Sequence, residues 1–174
     1  MRIHLPKTGL TILEIALFGM LGALTFAAKV AMAVLPNIEP VSLMVMLFAV
    51  IFGWRGLYPL YLYVTMEMLF YGLGFWNINY LYAWLLLFLG AMAIRKLRFP
   101  LWWALLSGAF GMAFGLLCAP VYAIAFGSWD YGLRWWLAGI VYDIPHAIGN
   151  FVIALVLFVP LRTLLEKLYA QIRK

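Results

Sequence analysis

Charge is what this chain has least of. Asp, Glu, Lys and Arg make up 10% of its 174 residues, against 68% hydrophobic residues. A soluble domain of this length needs far more polar surface to cover one core, so the shortage excludes that class. Cysteine is nearly absent too: Cys118 alone permits neither a disulfide framework nor a cysteine-based metal site, and its apolar surroundings make it a small packing residue. Acids number only six, yet the net charge of +6 is not gathered on a polar domain. The basic residues stand at the ends of apolar runs, which argues against a phosphate-binding surface. No His-Glu-x-x-His motif and no paired-aspartate protease signature occurs.

What the chain does have is long apolar runs, with a mean hydropathy of +1.04. They fall at about 12–35, 41–53, 57–71, 80–94, 101–126 and 136–161, separated by proline, glycine, asparagine or charge. The expected fold is an all-α integral membrane protein, one domain over residues 1–174, with six transmembrane helices. Runs two to four hold only 13–15 residues, so four full spans plus a re-entrant pair is the structural alternative. Ala31-Met32-Ala33 mimics a signal-peptidase site, but the preceding run is about as long as the roughly 20 residues of a full span. It is read as the first transmembrane helix. Ten of the twelve basic residues then share one side, leaving Lys29 and Arg134 on the other. The positive-inside rule therefore predicts that both termini are cytoplasmic.

Polar residues concentrate toward the outer side of this arrangement. Glu14 and Glu166 lie at cytoplasmic ends, whereas Glu39, Glu67, Asp130 and Asp143 fall in the outer half, with Lys29, Asn37, Asn77, Asn79, Tyr80, Trp129 and Arg134. An ionisable group inside a membrane segment is a functional hypothesis by default. Asp143, His146 and Asn150, spaced three and four apart, share one helical face, and Pro145 removes a backbone hydrogen bond beside them. A buried Asp–His hydrogen bond that fixes packing is the plainer alternative. Glu67 is equally well read as an ion-pair partner of Lys29. Aromatic walls with a few amides, carboxylates and an imidazole suit a small, flat, polar molecule, and the excess of acids favours a neutral or cationic one. Gly19, Ala23, Ala27 and Ala31 form a small-residue stripe on the first helix; Gly111, Gly115 and Ala119 form another on the fifth. Such stripes let a second helix approach closely.

The six short spans, the Ala-x-x-x-Ala stripe, and the segments NIEPVSL, GLGFWNINYLY and GIVYDIPHAIGNF resemble the substrate-binding S components of energy-coupling-factor transporters over essentially the whole chain. The resemblance implies a bacterial plasma-membrane protein that captures a vitamin-like micronutrient outside the cell and is not itself an enzyme. It implies no cofactor; ATP is used by its partners, one coupling membrane subunit and two ATP-binding-cassette ATPases. Carried over by position, the partner interface is Ala23, Ala27 and Ala31. The substrate site draws on Asn37 and Glu39, Asn79 and Trp84, Trp129 and Asp130, and Asp143, His146 and Asn150, with Glu67 added from its place in the third run. Toppling of the whole subunit in the membrane is the implied mechanism. The residues do not single out a ligand: pyridoxine-like and pyrimidine-like molecules suit the site, while riboflavin, thiamine and queuosine precursors stay open. Two rival functions stand beside this one. An intramembrane enzyme would use Asp143, His146 and Glu67 as metal ligands, and a stand-alone secondary transporter would need inverted repeats, which are not seen.

Overall fold

Local chemistry starts and stops each helix. The computed structural model describes residues 9–35 and 37–172. Pro36 and four of the orienting basic residues, Arg2, Lys7, Arg173 and Lys174, lie outside them. Helix α1 (Ile12–Ala31) opens on a capping box in which the Thr11 hydroxyl accepts from Glu14 N at 3.1 Å and Thr11 N donates to Glu14 Oε2 at 3.0 Å. Helix α2 (Val41–Phe52) ends at Gly53, whose φ of +57° only glycine adopts cheaply. A 3-10 turn, Gly53–Gly56, leads into α3 (Leu57–Tyr71), which stops at Gly72 with φ +81°. Three more helices follow: α4 (Phe75–Ala93), α5 (Pro100–Ala125) and α6 (Trp129–Ile172). No strand occurs among the described residues.

Contacts between helices show how the chain runs. Arg55, after α2, meets Glu14 at the start of α1 at 2.6 Å, and Lys29, at the end of α1, meets Glu67 near the end of α3 at 2.7 Å. Helix α3 therefore runs parallel to α1, from the Glu14 end to the Lys29 end. Helix α2 runs the opposite way: Ser42 bonds Asn150 near the Lys29 end, while Phe52 packs on Phe18 and Tyr169 at the other. Tyr169 also donates to Glu14 Oε1 at 2.9 Å, bringing the last turns of α6 beside the first turn of α1. Five helical stretches are long and apolar enough to cross a bilayer, with Val41–Tyr71 counted as one through its 3-10 turn. This is the architecture of a multi-pass membrane protein. Taken singly, α2 with 12 residues and α3 with 15 are about 18 and 22 Å long at 1.5 Å per residue.

Three boundaries depart from the sequence expectation. Helix α1 ends at Ala31 rather than residue 35, because residues 32–35 turn toward the loop. Helix α4 begins five residues early, so Asn77 and Asn79 are helical; Asn77 Oδ1 accepts from Gly74 N at the helix start, doing the work of a cap. Helix α6 spans 44 residues instead of 26 and absorbs Trp129 and Asp130, which were expected in a loop. Pro145 and Pro160 lie within it.

The α5–α6 pair is the most extensive helix contact, and small residues permit it. A side chain at Gly111 would meet the backbone of Ala147 at 2.9 Å, and one at Gly115 would collide with the Asp143 carboxylate. The Gly111, Gly115, Ala119 stripe is thus used inside the chain. The stripe on α1 is not: its buried face is Glu14, Leu17, Phe18, Leu21, Gly22 and Thr25, while Ala27 and Ala31 are exposed and Ala23 half-buried. Gly111→Val should lower thermal stability in detergent by about 1–3 kcal/mol through overpacking; unchanged melting would show that the seam has slack.

Candidate functional site

Lys29 sits in the last turn of a largely apolar helix, where an unpaired ammonium is costly. Its Nζ is 2.7 Å from Glu67 Oε2, 3.0 Å from the Tyr80 hydroxyl and 3.9 Å from Glu39 Oε2. It also lies 5.0 Å from the centre of the Tyr80 ring. One cation thereby ties together α1, α3, α4 and the loop before α2. Glu67, 1% exposed, was read from sequence either as this ion-pair partner or as a ligand group; it makes the ion pair.

A cavity of about 370 Å³ opens beside this cluster. Lys29, Met32, Asn37, Ile38 and Glu39 line one side, Tyr71 and Tyr80 another, and Phe114, Asp143 and His146 the third. A second space of about 300 Å³ adjoins it, bounded by Lys29, Glu67, Tyr71, Trp76 and Tyr80. The loop is held over the cavity by its own residues. Asn37 takes a left-handed φ of +56°, which Asn tolerates better than most residues, and its Nδ2 donates to Tyr142 O at 3.1 Å. Ile38 packs on Gly149, where any larger residue would crowd it. Burial raises the Glu39 carboxyl above the usual range; Lys29 opposes that shift and Glu67 adds to it.

Asp143 and His146 face the cavity from α6, both at least nine-tenths buried. The Asp143 carboxylate accepts from Gly115 N through Oδ1 at 3.1 Å. Its Oδ2, and His146 Nε2, have no hydrogen-bond partner among the described residues. The Asp–His hydrogen bond weighed from sequence is therefore not formed through these atoms. The His146 ring meets Phe114 edge to face, with centroids 5.2 Å apart, and Phe114 packs in turn on Tyr80 and Trp84.

Of the residues singled out from sequence, Asn37, Glu39, Asp143 and His146 share the cavity wall, with Glu67 in the adjoining space. Three others stand behind it. Trp84 is fully buried beneath Tyr80 and Phe114, Asn150 Nδ2 donates to Ser42 Oγ at 2.9 Å, and Asn79 Oδ1 accepts from the Tyr82 hydroxyl at 3.2 Å. Trp129 and Asp130 do not join the group. Asp130 is exposed and pairs with Arg134 one turn on, and Trp129 borders a separate apolar groove with Leu116, Pro120 and Trp136. Lys29 and Phe114, by contrast, were not in the expected site. A charge in an apolar run was the available signal for Lys29; Phe114 carried none, being one of thirteen phenylalanines.

Fold and cavity together define an all-helical, multi-pass membrane protein with a polar, aromatic-walled site at one end of its bundle. Comparison with protein-family models, curated proteins and solved structures finds no match to this chain.

Removing Lys29 alone should leave Glu67 as a buried, uncompensated charge. Lys29→Met is expected to cost about 3–5 kcal/mol, and the Lys29→Met/Glu67→Met double variant should recover much of that loss. Thermal unfolding of the three proteins in one detergent checks it; additive losses would mean that the two groups do not depend on each other.

Proposed function

We propose that this protein is the substrate-capturing subunit of an energy-coupling-factor importer in a bacterial plasma membrane. In this reading α2 and α3 each cross the membrane, giving six crossings with both termini in the cytoplasm. The cavity then faces outward and takes a small, flat, polar micronutrient. The observation that carries the reading is the pairing of an end-sited cavity with a bundle that, among the described residues, holds no buried charged group between its two ends. Among the described residues, the buried charged groups are Glu14, at the far end with Arg55 and Tyr169, and Glu67 and Asp143 at the cavity. A proton relay across the bundle needs titratable groups in between. Movement of the whole subunit does not.

The exposed small-residue stripe on α1 supports the same reading. Ala27 and Ala31 leave a shallow face that another helix can approach, and no helix among the described residues fills it. That face would meet the coupling subunit, and the ATPases bound to it would supply the energy, so this chain needs neither cofactor nor catalytic residue of its own. The intramembrane-enzyme reading gains nothing here: Glu67, its third metal ligand, is committed to Lys29, and no group of three His, Cys, Asp or Glu side chains suited to a metal occurs among the described residues.

The test is purification from cells grown in rich medium, followed by unfolding and mass spectrometry of what is released. One enriched small molecule near one per chain, with ATPase subunits in the undenatured preparation, is the expected result. Uptake that persists in cells lacking the coupling ATPases would sink the proposal. Ala27→Trp should abolish uptake and leave ligand retention unchanged, since it blocks helix approach away from the cavity. His146→Ala should do the reverse to retention, lowering it while the melting temperature stays within a few degrees of the parent.

A further inference from the structure

Three cations crowd the stretch Arg95-Lys96-Leu97-Arg98 between α4 and α5, and no acid among the described residues answers them. All three are exposed, and none makes an ion pair there. The described acids at this end of the bundle are committed elsewhere: Glu14 to Arg55 and Tyr169, and Glu166 to Arg162 at 2.8 Å. The positive end of α5, which begins at Pro100, adds to the potential instead of relieving it. The turn is also fixed in shape. Leu97 N donates to Ile94 O at 2.8 Å, and the buried Trp103 donates its indole N–H to Leu97 O at 3.3 Å. Trp103 in turn stacks on Phe158 of α6, with centroids 4.2 Å apart, which ties the start of α5 to the bundle. Like charges held together in this way build a positive patch that attracts a counter-charge from outside the chain.

What adjoins the turn identifies that counter-charge. Phe99 and Trp102 are exposed beside it, and Leu101, Leu105, Met112 and Leu116 continue as an exposed apolar stripe along α5. Spaced four, seven and four apart, these four share one helical face. Helix α5 is long and apolar enough to cross a bilayer, so that face meets acyl chains. A cationic turn at the head of a lipid-facing stripe fits an amphiphile with an anionic head. An acidic protein surface would meet the charges and leave the stripe unused. We propose that the α4–α5 turn is a docking site for an anionic phospholipid of the leaflet at the Glu14 end. Arg95, Lys96 and Arg98 hold its phosphate, and Trp102 and Leu105 lie along its chains. The site is at the opposite end of the bundle from the cavity and does not depend on the capture function.

The purified full chain, stripped of lipid in detergent, would be offered equimolar phosphatidylglycerol and phosphatidylcholine with identical chains. Native mass spectrometry at low salt reads which lipid is retained. The expected result is phosphatidylglycerol held at least about tenfold better, a preference that falls roughly fivefold in each of Arg95→Gln, Lys96→Gln and Arg98→Gln. Single substitutions leave the remaining basic residues of that side in place, so the insertion topology is kept. Lys167→Gln, at an exposed and unpaired cation of the same end, should leave the preference unchanged. Trp102→Ala should weaken retention of both lipids alike, because it meets the chains and not the phosphate. Equal retention of the two lipids, or a preference that survives all three turn substitutions, overturns the proposal. So does a loss as large in Lys167→Gln, which would make the attraction a diffuse effect of net charge. Displacement of the lipid by millimolar inorganic phosphate would overturn it in favour of a free-anion site. Unchanged lipid preference with loss of co-purifying protein in the turn variants would assign the patch to an acidic protein surface instead.

Discussion

An ammonium at the end of an apolar helix cannot be left alone. Lys29 costs several kcal/mol in such a setting unless it is paired, hydrogen-bonded or wetted, and here Glu67 and Tyr80 come from two other helices to meet it. That requirement places the ends of α1 and α3 and the start of α4 side by side. It also draws the loop inward through Glu39 and orients the Tyr80 ring against the cavity. The site is thus built around a neutralised cation. With its charge satisfied internally, Lys29 works as a fixed point, and the free polarity is carried by Asp143 and His146.

The opposite end is held by a matching device. Glu14 is buried, accepts from Arg55 and Tyr169, and caps its own helix through Thr11. Two polar knots, one at each end, leave most of the middle of the bundle to apolar side chains such as Val45, Leu47, Phe48 and Phe88. Along one side of this core the glycines of α5 let α6 approach at backbone distance. Close approach is also what allows Gly115 N–H to reach Asp143. Packing and site chemistry are the same feature seen twice: the absence of a side chain on α5 provides both the seam and the space for a carboxylate.

Much of the helix layout was legible in the apolar runs, because hydrophobic length is a property that sequence carries directly. The limits of α2 and α3 are within a residue of the punctuation at Pro40, Gly53-Trp54-Arg55-Gly56 and Gly72. The errors fall where local polarity misleads. Asn77 and Asn79 precede the run expected from residue 80, yet α4 begins at Phe75 and Asn77 caps its first turn from within it. Trp129 and Asp130 read as loop residues after Gly127, yet that glycine, with φ +64°, completes the turn quickly enough for α6 to start at once.

Sequence by itself determined the solvent, the helical class, and the face that Asp143, His146 and Asn150 share, since composition and a period of 3.6 need no tertiary information. It also marked Lys29 and Glu67 as a plausible pair. Only the tertiary structure decided which polar residues meet in one space. It separated Asp130 and Trp129 from the rest, turned Asn79 and Asn150 to packing, and brought in Phe114 from a helix with no local signal. The physical reason is that membership of a cavity depends on where helices cross. Here that follows from glycine contacts and one part-buried ion pair between residues 38 positions apart.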